Sequence, residues 1–164
     1  MSSTNKGKAE VIKYIRSKFG RGGTCLDVGA CDGKWAKLLG DFLMMDGIEI
    51  FPENVIKYKL WEKYENITIG DVISFPHGDY SLIIFGDVIE HMSVEDAQDV
   101  LDYALDHSSM VIVGVPFMYK QGEIYGNKYE KHIQDDLTNE VFLERYDGFE
   151  PLILFEDYGY YKSR

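Results

Sequence analysis

The stretch CLDVGACDGKW, residues 25–35, reads as an apolar strand running into a glycine-containing turn and then a helix. Cys25, Leu26, Asp27 and Val28 form the end of the buried strand. Gly29 lets the chain turn sharply, and Gly33 lets the next helix begin close to a ligand with no Cβ in the way. That helix, from Lys34 to about Phe42, presents free backbone N–H groups at its start, and these favour an anionic group. Acidic residues follow at Glu49 and Asp71, spaced roughly twenty positions apart as the acidic partner of a ribose is. The pattern predicts a nucleotide-type cofactor site. It is not a dinucleotide fingerprint. Counted from Gly29, the second and third places of G-x-G-x-x-G hold Cys31 and Lys34.

Further along, Ala9, Val11, Ile12, Ile15 and Phe19 share one helical face, which predicts a helix from about Lys6 to Phe19, closed by Gly20, Gly22 and Gly23. Strands are expected over Thr24–Val28, Met44–Ile50, Ile67–Ile69, Tyr80–Phe85 and Ser109–Val115. Pro52 suits the first turn of a helix, where its missing N–H costs nothing. Ser93, with Asp96 three positions on, is a capping-box-like helix start. Continuous apolar strands alternating with helices predict an α/β fold with a doubly wound, mostly parallel sheet and helices on both faces. The tail departs from this alternation. Pro151–Phe155 and Tyr158–Lys162 are too close for a helical crossover and predict an antiparallel β-hairpin.

At 164 residues the chain is expected to form a single domain, 1–164, around one core. It has no run of eighteen apolar residues and no signal-peptide layout, so a cytoplasmic protein without a membrane span is expected. Cys25 lies inside a strand and Cys31 beyond its end, too far apart in extended chain for a disulfide, and both are read as thiols. A net charge of −11 argues against a general nucleic-acid binder, which needs a basic footprint. The exception is residues 1–21, a basic N-terminal helix with six basic side chains against Glu10. It reads either as a solvated face offsetting the acidic body or as a docking helix for an acidic partner.

The same residues resemble class I S-adenosylmethionine-dependent methyltransferases of the small-molecule type. Asp27, Val28, Gly29, Ala30, Cys31, Asp32 and Gly33 stand in the place of that family's motif I, with Cys31 where the middle glycine falls. MMDGIEIFPENV (44–55) is similar to its second strand, GDVISFP (70–76) to its adenine-contacting turn, and YSLIIFGDVIEHM (80–92) to its motif IV. The resemblance implies a seven-stranded sheet in the order 3-2-1-4-5-7-6, with S-adenosyl-L-methionine as cofactor and S-adenosyl-L-homocysteine as product. It implies that Glu49 grips the ribose hydroxyls, that Asp71 and the Val72 N–H meet the adenine, and that Gly29, Cys31, Gly33, Gly86 and Asp87 line the site. Asp27 either orients the turn and meets the cofactor's amino group or serves only its own turn.

Methyl transfer is a direct displacement at an activated carbon, so positioning supplies much of the acceleration and a base is needed only for a protonated nucleophile. The acceptor, expected to be a small molecule or small group, would meet Glu90 and His91 and the long polar segment 117–135, with Tyr119, Tyr125, Asn127, Tyr129, Glu130 and His132. His91 and His132 are the candidate bases; for each, packing at a helix start or in a loop is the alternative. A metal bridged by Asp87, His91 and His132 has no tight ligand motif behind it, and no metal site is expected. Two other functions fit parts of the pattern: a non-catalytic protein that binds the same cofactor, and a nucleotide-dependent oxidoreductase. A homo-oligomer is compatible with the sequence.

Overall fold

The computed structural model describes residues 5–74, 78–124 and 126–164. Phe75 and Pro76 of the expected adenine turn, and Tyr125, lie outside these residues. The strands are β1 (Thr24–Val28), β2 (Met44–Glu49), β3 (Asn66–Ile69), β4 (Leu82–Gly86), β5 (Val111–Pro116), β6 (Phe149–Leu154) and β7 (Tyr158–Ser163). They form one sheet in the order β3-β2-β1-β4-β5-β7-β6, as expected. The first five pair in parallel. β7 is antiparallel to both β5 and β6, which makes the terminal hairpin. β6 lies at the sheet edge and its register shifts between Pro151 and Ile153. An edge position next to an irregularity is where a residue without an N–H is tolerated in a sheet.

Among the described residues, five α-helices accompany the strands: α1 (Lys8–Lys18), α2 (Lys34–Leu39), α3 (Pro52–Lys57), α4 (Val94–Asp106) and α5 (Asn139–Arg145). Side chains alternate across a strand, and here the alternation sorts two cores. Ile83 and Phe85 of β4, with Val111, Val113 and Val115 of β5, pack under Ala97, Val100, Leu101 and Ala104 of α4 and Phe142 of α5. Leu82, Ile84 and Ile112 face the other way, toward Val11 and Ile15 of α1, Trp35 and Leu39 of α2, and Val55 of α3. Full burial of one such side chain contributes about 1.5–3 kcal/mol. Helices therefore cover both faces.

Several boundaries move. The N-terminal helix is shorter than expected, Lys8–Lys18, with Gly7 in a left-handed conformation before it. α2 stops at Leu39, short of Phe42, because Gly40 follows and its N–H closes on Ala36 O. Pro52 does sit in the first turn of α3, and Ser93 Oγ does accept the Asp96 N–H at the start of α4.

α5 has no counterpart in the sequence reading. It is set by Thr138, whose Oγ1 accepts the N–H of Val141 at 3.2 Å. Phe142 then stacks on Tyr161 of the hairpin, ring centroids 3.6 Å apart and planes 11° from parallel. The cap aims the helix and the aromatic pair fixes it to the sheet. Thr138→Ala is expected to lower unfolding stability by about 1 kcal/mol. Thr138→Ser should recover most of that loss, read as a shift in urea midpoint at unchanged slope.

Candidate functional site

Because β1, β2, β4 and β5 run in parallel, the loops leaving their carboxyl ends gather at one end of the sheet, where ligands bind in open α/β folds. A cavity of about 470 Å³ opens there. Its walls divide into a side built by the first three strands and a side built by the segments after β4 and β5.

The turn after β1 is drawn over the end of β2 by its backbone: the N–H groups of Gly29 and Ala30 both donate to Ile48 O, at 2.9 and 3.1 Å. Glu49, the last residue of β2, is only 4% exposed yet borders the cavity. Its Oε2 accepts the Cys31 N–H at 2.7 Å and its Oε1 accepts the Phe51 N–H at 2.9 Å. Burial raises its pKa, and those two N–H groups, with a hydrogen bond from the Asn54 side chain, oppose the rise. A carboxylate accepts about four hydrogen bonds, so Glu49 keeps capacity for one from a ligand's hydroxyl. Asp71 is at the rim, with Oδ1 accepting the Ile73 N–H at 3.0 Å, and Val72 follows along the same wall.

Cys31 occupies left-handed backbone at φ 47°, a conformation that explains why a glycine suits this place. Burial, followed by the charges of Glu49 and Asp32, pushes its thiol up to about 12. Gly29 is also left-handed, φ +72°, and a Cβ there would come within 2.7 Å of Val88 Cγ2. Gly86 borders the cavity, and its missing Cβ makes room for Trp35, whose Nε1 lies 2.6 Å from where that atom would be. Asp87 follows at φ 58°, its N–H donating to Gly114 O at 2.9 Å. Lys8 is buried with its Nζ 4.5 Å from the centre of the Trp35 ring. Burial brings this amine down to about 8, although the Asp87 charge pulls the other way.

Two expected site residues stand off the cavity wall. Gly33 is one: a Cβ there would meet Lys63 Cδ at 2.5 Å, so the missing side chain makes room for a lysine stem. Lys63 Nζ in turn bonds to Asp32 O at 2.6 Å, holding the turn from outside. Asp27 is the other. It is 1% exposed beneath the turn, with Oδ2 accepting the Tyr64 hydroxyl at 2.5 Å. Burial raises its pKa to about 7 against the opposing hydrogen bond from Tyr64.

On the second side, the chain after β4 makes a short 3-10 turn, Ile89–His91, and the segment after β5 folds back onto it. The N–H groups of Ile133 and Gln134 both donate to Glu90 O, at 2.8 and 3.0 Å. The Gln134 side chain donates to Ile89 O at 2.9 Å and Met92 O at 3.2 Å, while its Oε1 accepts from Tyr146 and Arg145. This lock brings His132 to His91, ring centroids 4.7 Å apart and nearly perpendicular. Tyr119, Asn127, Tyr129 and Glu130 also line the cavity. Tyr158 of the hairpin joins them, and Gln134, 4% exposed, holds the wall from behind. Neither residue was legible beforehand, because each acts across the fold and carries no local motif.

Neither a protein-family model nor a curated protein matches the sequence. Solved structures do match. One is an S-adenosylmethionine-dependent methyltransferase from Clostridium acetobutylicum, with 10% identity, TM-score 0.73, and 100% of this chain and 92% of that one covered. Another is the magnesium protoporphyrin IX methyltransferase of Synechocystis with S-adenosylmethionine bound: 15% identity, TM-score 0.63, 94% and 76% covered. A third is DhpI in complex with S-adenosylhomocysteine: 11% identity, TM-score 0.71, 96% and 84% covered. The chain has the class I, Rossmann-like methyltransferase fold. Among its described residues, no helix is long and apolar enough to cross a membrane.

The raised pKa of Asp27 has a definite sign in stability. An unfolded Asp ionises near 3.8 and the folded one near 7, so between these values the native state alone holds the proton. Stability contributed by this group is present below pH 4 and is lost as the pH rises to 7, on the order of a few kcal/mol. Asp27→Asn is expected to flatten the fall in unfolding free energy between pH 4 and 7, measured by denaturant titration across that range.

Proposed function

We propose that the chain is an S-adenosylmethionine-dependent methyltransferase acting on a small-molecule acceptor. The observation that carries this reading is the placement of Glu49. It is a buried carboxylate at the end of β2, bordering the cavity beside the turn after β1. In this fold, that is where a ribose-binding acid serves a nucleoside cofactor. Solved structures of the same fold hold S-adenosylmethionine or S-adenosylhomocysteine. Glu49 would take the ribose hydroxyls, Asp71 and the Val72 N–H the adenine, and Gly29, Cys31, Gly86 and Asp87 the methionine end. Asp27 and Gly33 would act from beneath, by shaping the turn.

When bound, the cofactor would supply an activated methyl group: an acceptor lone pair would form the new bond to carbon as the S–CH₃ bond breaks, with the released pair staying on sulfur as a neutral thioether. Any acceptor proton would pass to a base or to water. The cavity's second side, with the segment 117–135 over it, would hold the acceptor in line and exclude water. His91 and His132 are the residues that would meet the nucleophilic atom. We place the protein in the cytoplasm, a setting that suits two cysteines, Cys25 and Cys31, that form no disulfide.

Calorimetric titration with S-adenosylmethionine and S-adenosylhomocysteine, with NADH as control, tests the reading. Saturable binding of the first two is expected. Glu49→Ala and Asp71→Ala should each weaken it about tenfold or more, roughly 1.4 kcal/mol per decade. Preference for NADH would overturn the assignment, and binding without turnover in an acceptor screen would mark a non-catalytic binder.

A further inference from the structure

Glu90 is the least explained side chain of the cavity. It is fully buried, and neither carboxylate oxygen has a hydrogen-bond partner in another residue. A buried carboxylate in that condition is costly unless something neutralises it, and such a group in a folded protein calls for an ion, a water or a proton.

What stands next to it favours an ion. Donor atoms of Glu90, His91 and His132 all lie within 4.8 Å of one another. Both imidazoles are oriented by a backbone carbonyl: His91 Nδ1 lies 3.1 Å from Lys131 O and His132 Nδ1 lies 2.8 Å from Tyr119 O. A carbonyl only accepts, so each Nδ1 carries the proton and each Nε2, in the neutral ring, presents a lone pair. That arrangement of the far nitrogen is the outer support that metal-binding histidines have. The scaffold is rigid as well, since the Glu90 carbonyl and the Gln134 side chain clamp the two segments together before any ligand arrives.

We propose that Glu90, His91 and His132 form a binding site for a divalent transition-metal ion on the second side of the cavity. Two imidazoles and one carboxylate suit Mn²⁺, Fe²⁺, Co²⁺ or Zn²⁺ better than Mg²⁺ or Ca²⁺. Bonds of about 2.0–2.2 Å would draw the donors inward by modest side-chain rotations. With the ion bound, His91 and His132 would serve as its ligands and not as bases, and three ligands leave positions facing the cavity for an oxygen of the acceptor, so the acceptor class is a molecule with a hydroxyl or similar oxygen donor beside the methylated atom. The ion site stands on these residues alone. The statement about the acceptor rests on the methyl-transfer reading.

The test uses the full chain and Mn²⁺ as the probe, with loss of the free-ion electron paramagnetic resonance signal as the readout and no cofactor present. One ion per chain is expected, and Co²⁺ should show the visible absorption of a nitrogen- and oxygen-ligated site. Glu90→Gln and His132→Asn should each weaken Mn²⁺ binding at least tenfold. Their circular-dichroism melts establish that they fold, and His91→Asn, at a partly exposed position, supplies a third variant should either buried one unfold. Absence of stoichiometric binding, or binding equally tight in all folded variants, overturns the proposal. Calorimetry with S-adenosylmethionine on the same variants separates the two readings. Mn²⁺ binding without cofactor binding removes the methyl-transfer reading and keeps the ion site. Cofactor binding with no Mn²⁺ site does the reverse.

Discussion

The two hydrogen bonds accepted by Glu49 set the shape of the cavity's first side. One oxygen takes the N–H of Cys31 from the turn after β1, and the other takes the N–H of Phe51 at the entry to α3. A single carboxylate thus ties the ends of two adjacent strands to the start of a helix, and it does so from a buried position where such bonds are strong. The left-handed backbone of Cys31 depends on it. So does the course of the turn, whose preceding N–H groups are already committed to Ile48. Remove the carboxylate and the Cys31 N–H loses its partner, with the strained residue no longer held.

The second side is organised differently. Its anchor is a carbonyl and not a carboxylate: Glu90 O receives two N–H groups from a segment some forty positions later in sequence, where loop closure alone would be entropically expensive. Gln134 completes the clamp, reaching two carbonyls with its amide nitrogen and taking Tyr146 and Arg145 on its oxygen. Every polar group of that side chain is used, so the segment after β5 is fastened to the protein body at Gln134. The cavity accordingly has two walls that hold their form by backbone bonding, with side chains filling the space between.

Much of the architecture was legible because it rests on local chemistry. Continuous apolar runs marked β4 and β5, Pro52 and Ser93 marked two helix starts, and the short spacing of the tail allowed only a hairpin. α5 was not legible in that way, although Thr138 is an ordinary cap, because its apolar content is small and its position depends on Phe142 meeting Tyr161 across the fold. In the site, Glu49 and Asp71 could be placed by spacing from the turn. Gly33 and Asp27 were placed by motif, and here tertiary packing intervened: Lys63 fills the space beside one, and Tyr64 buries the other. The juxtaposition of Glu90, His91 and His132 depends on the Gln134 clamp, which no pattern of neighbours in sequence encodes.

The thiol of Cys31 acquires a chemical meaning from where it sits. Under the proposed function the cavity would hold a sulfonium, which is an alkylating agent, and Cys31 is a potential nucleophile on its wall. As a thiolate it would compete with the acceptor and consume the protein itself. Burial and the negative charges of Glu49 and Asp32 instead hold it protonated up to about pH 12, and the thiol, unlike the thiolate, is a poor nucleophile. The carboxylate that shapes the turn thereby also keeps the neighbouring thiol in its unreactive form, which would protect the chain from a methyl donor held under the proposed function.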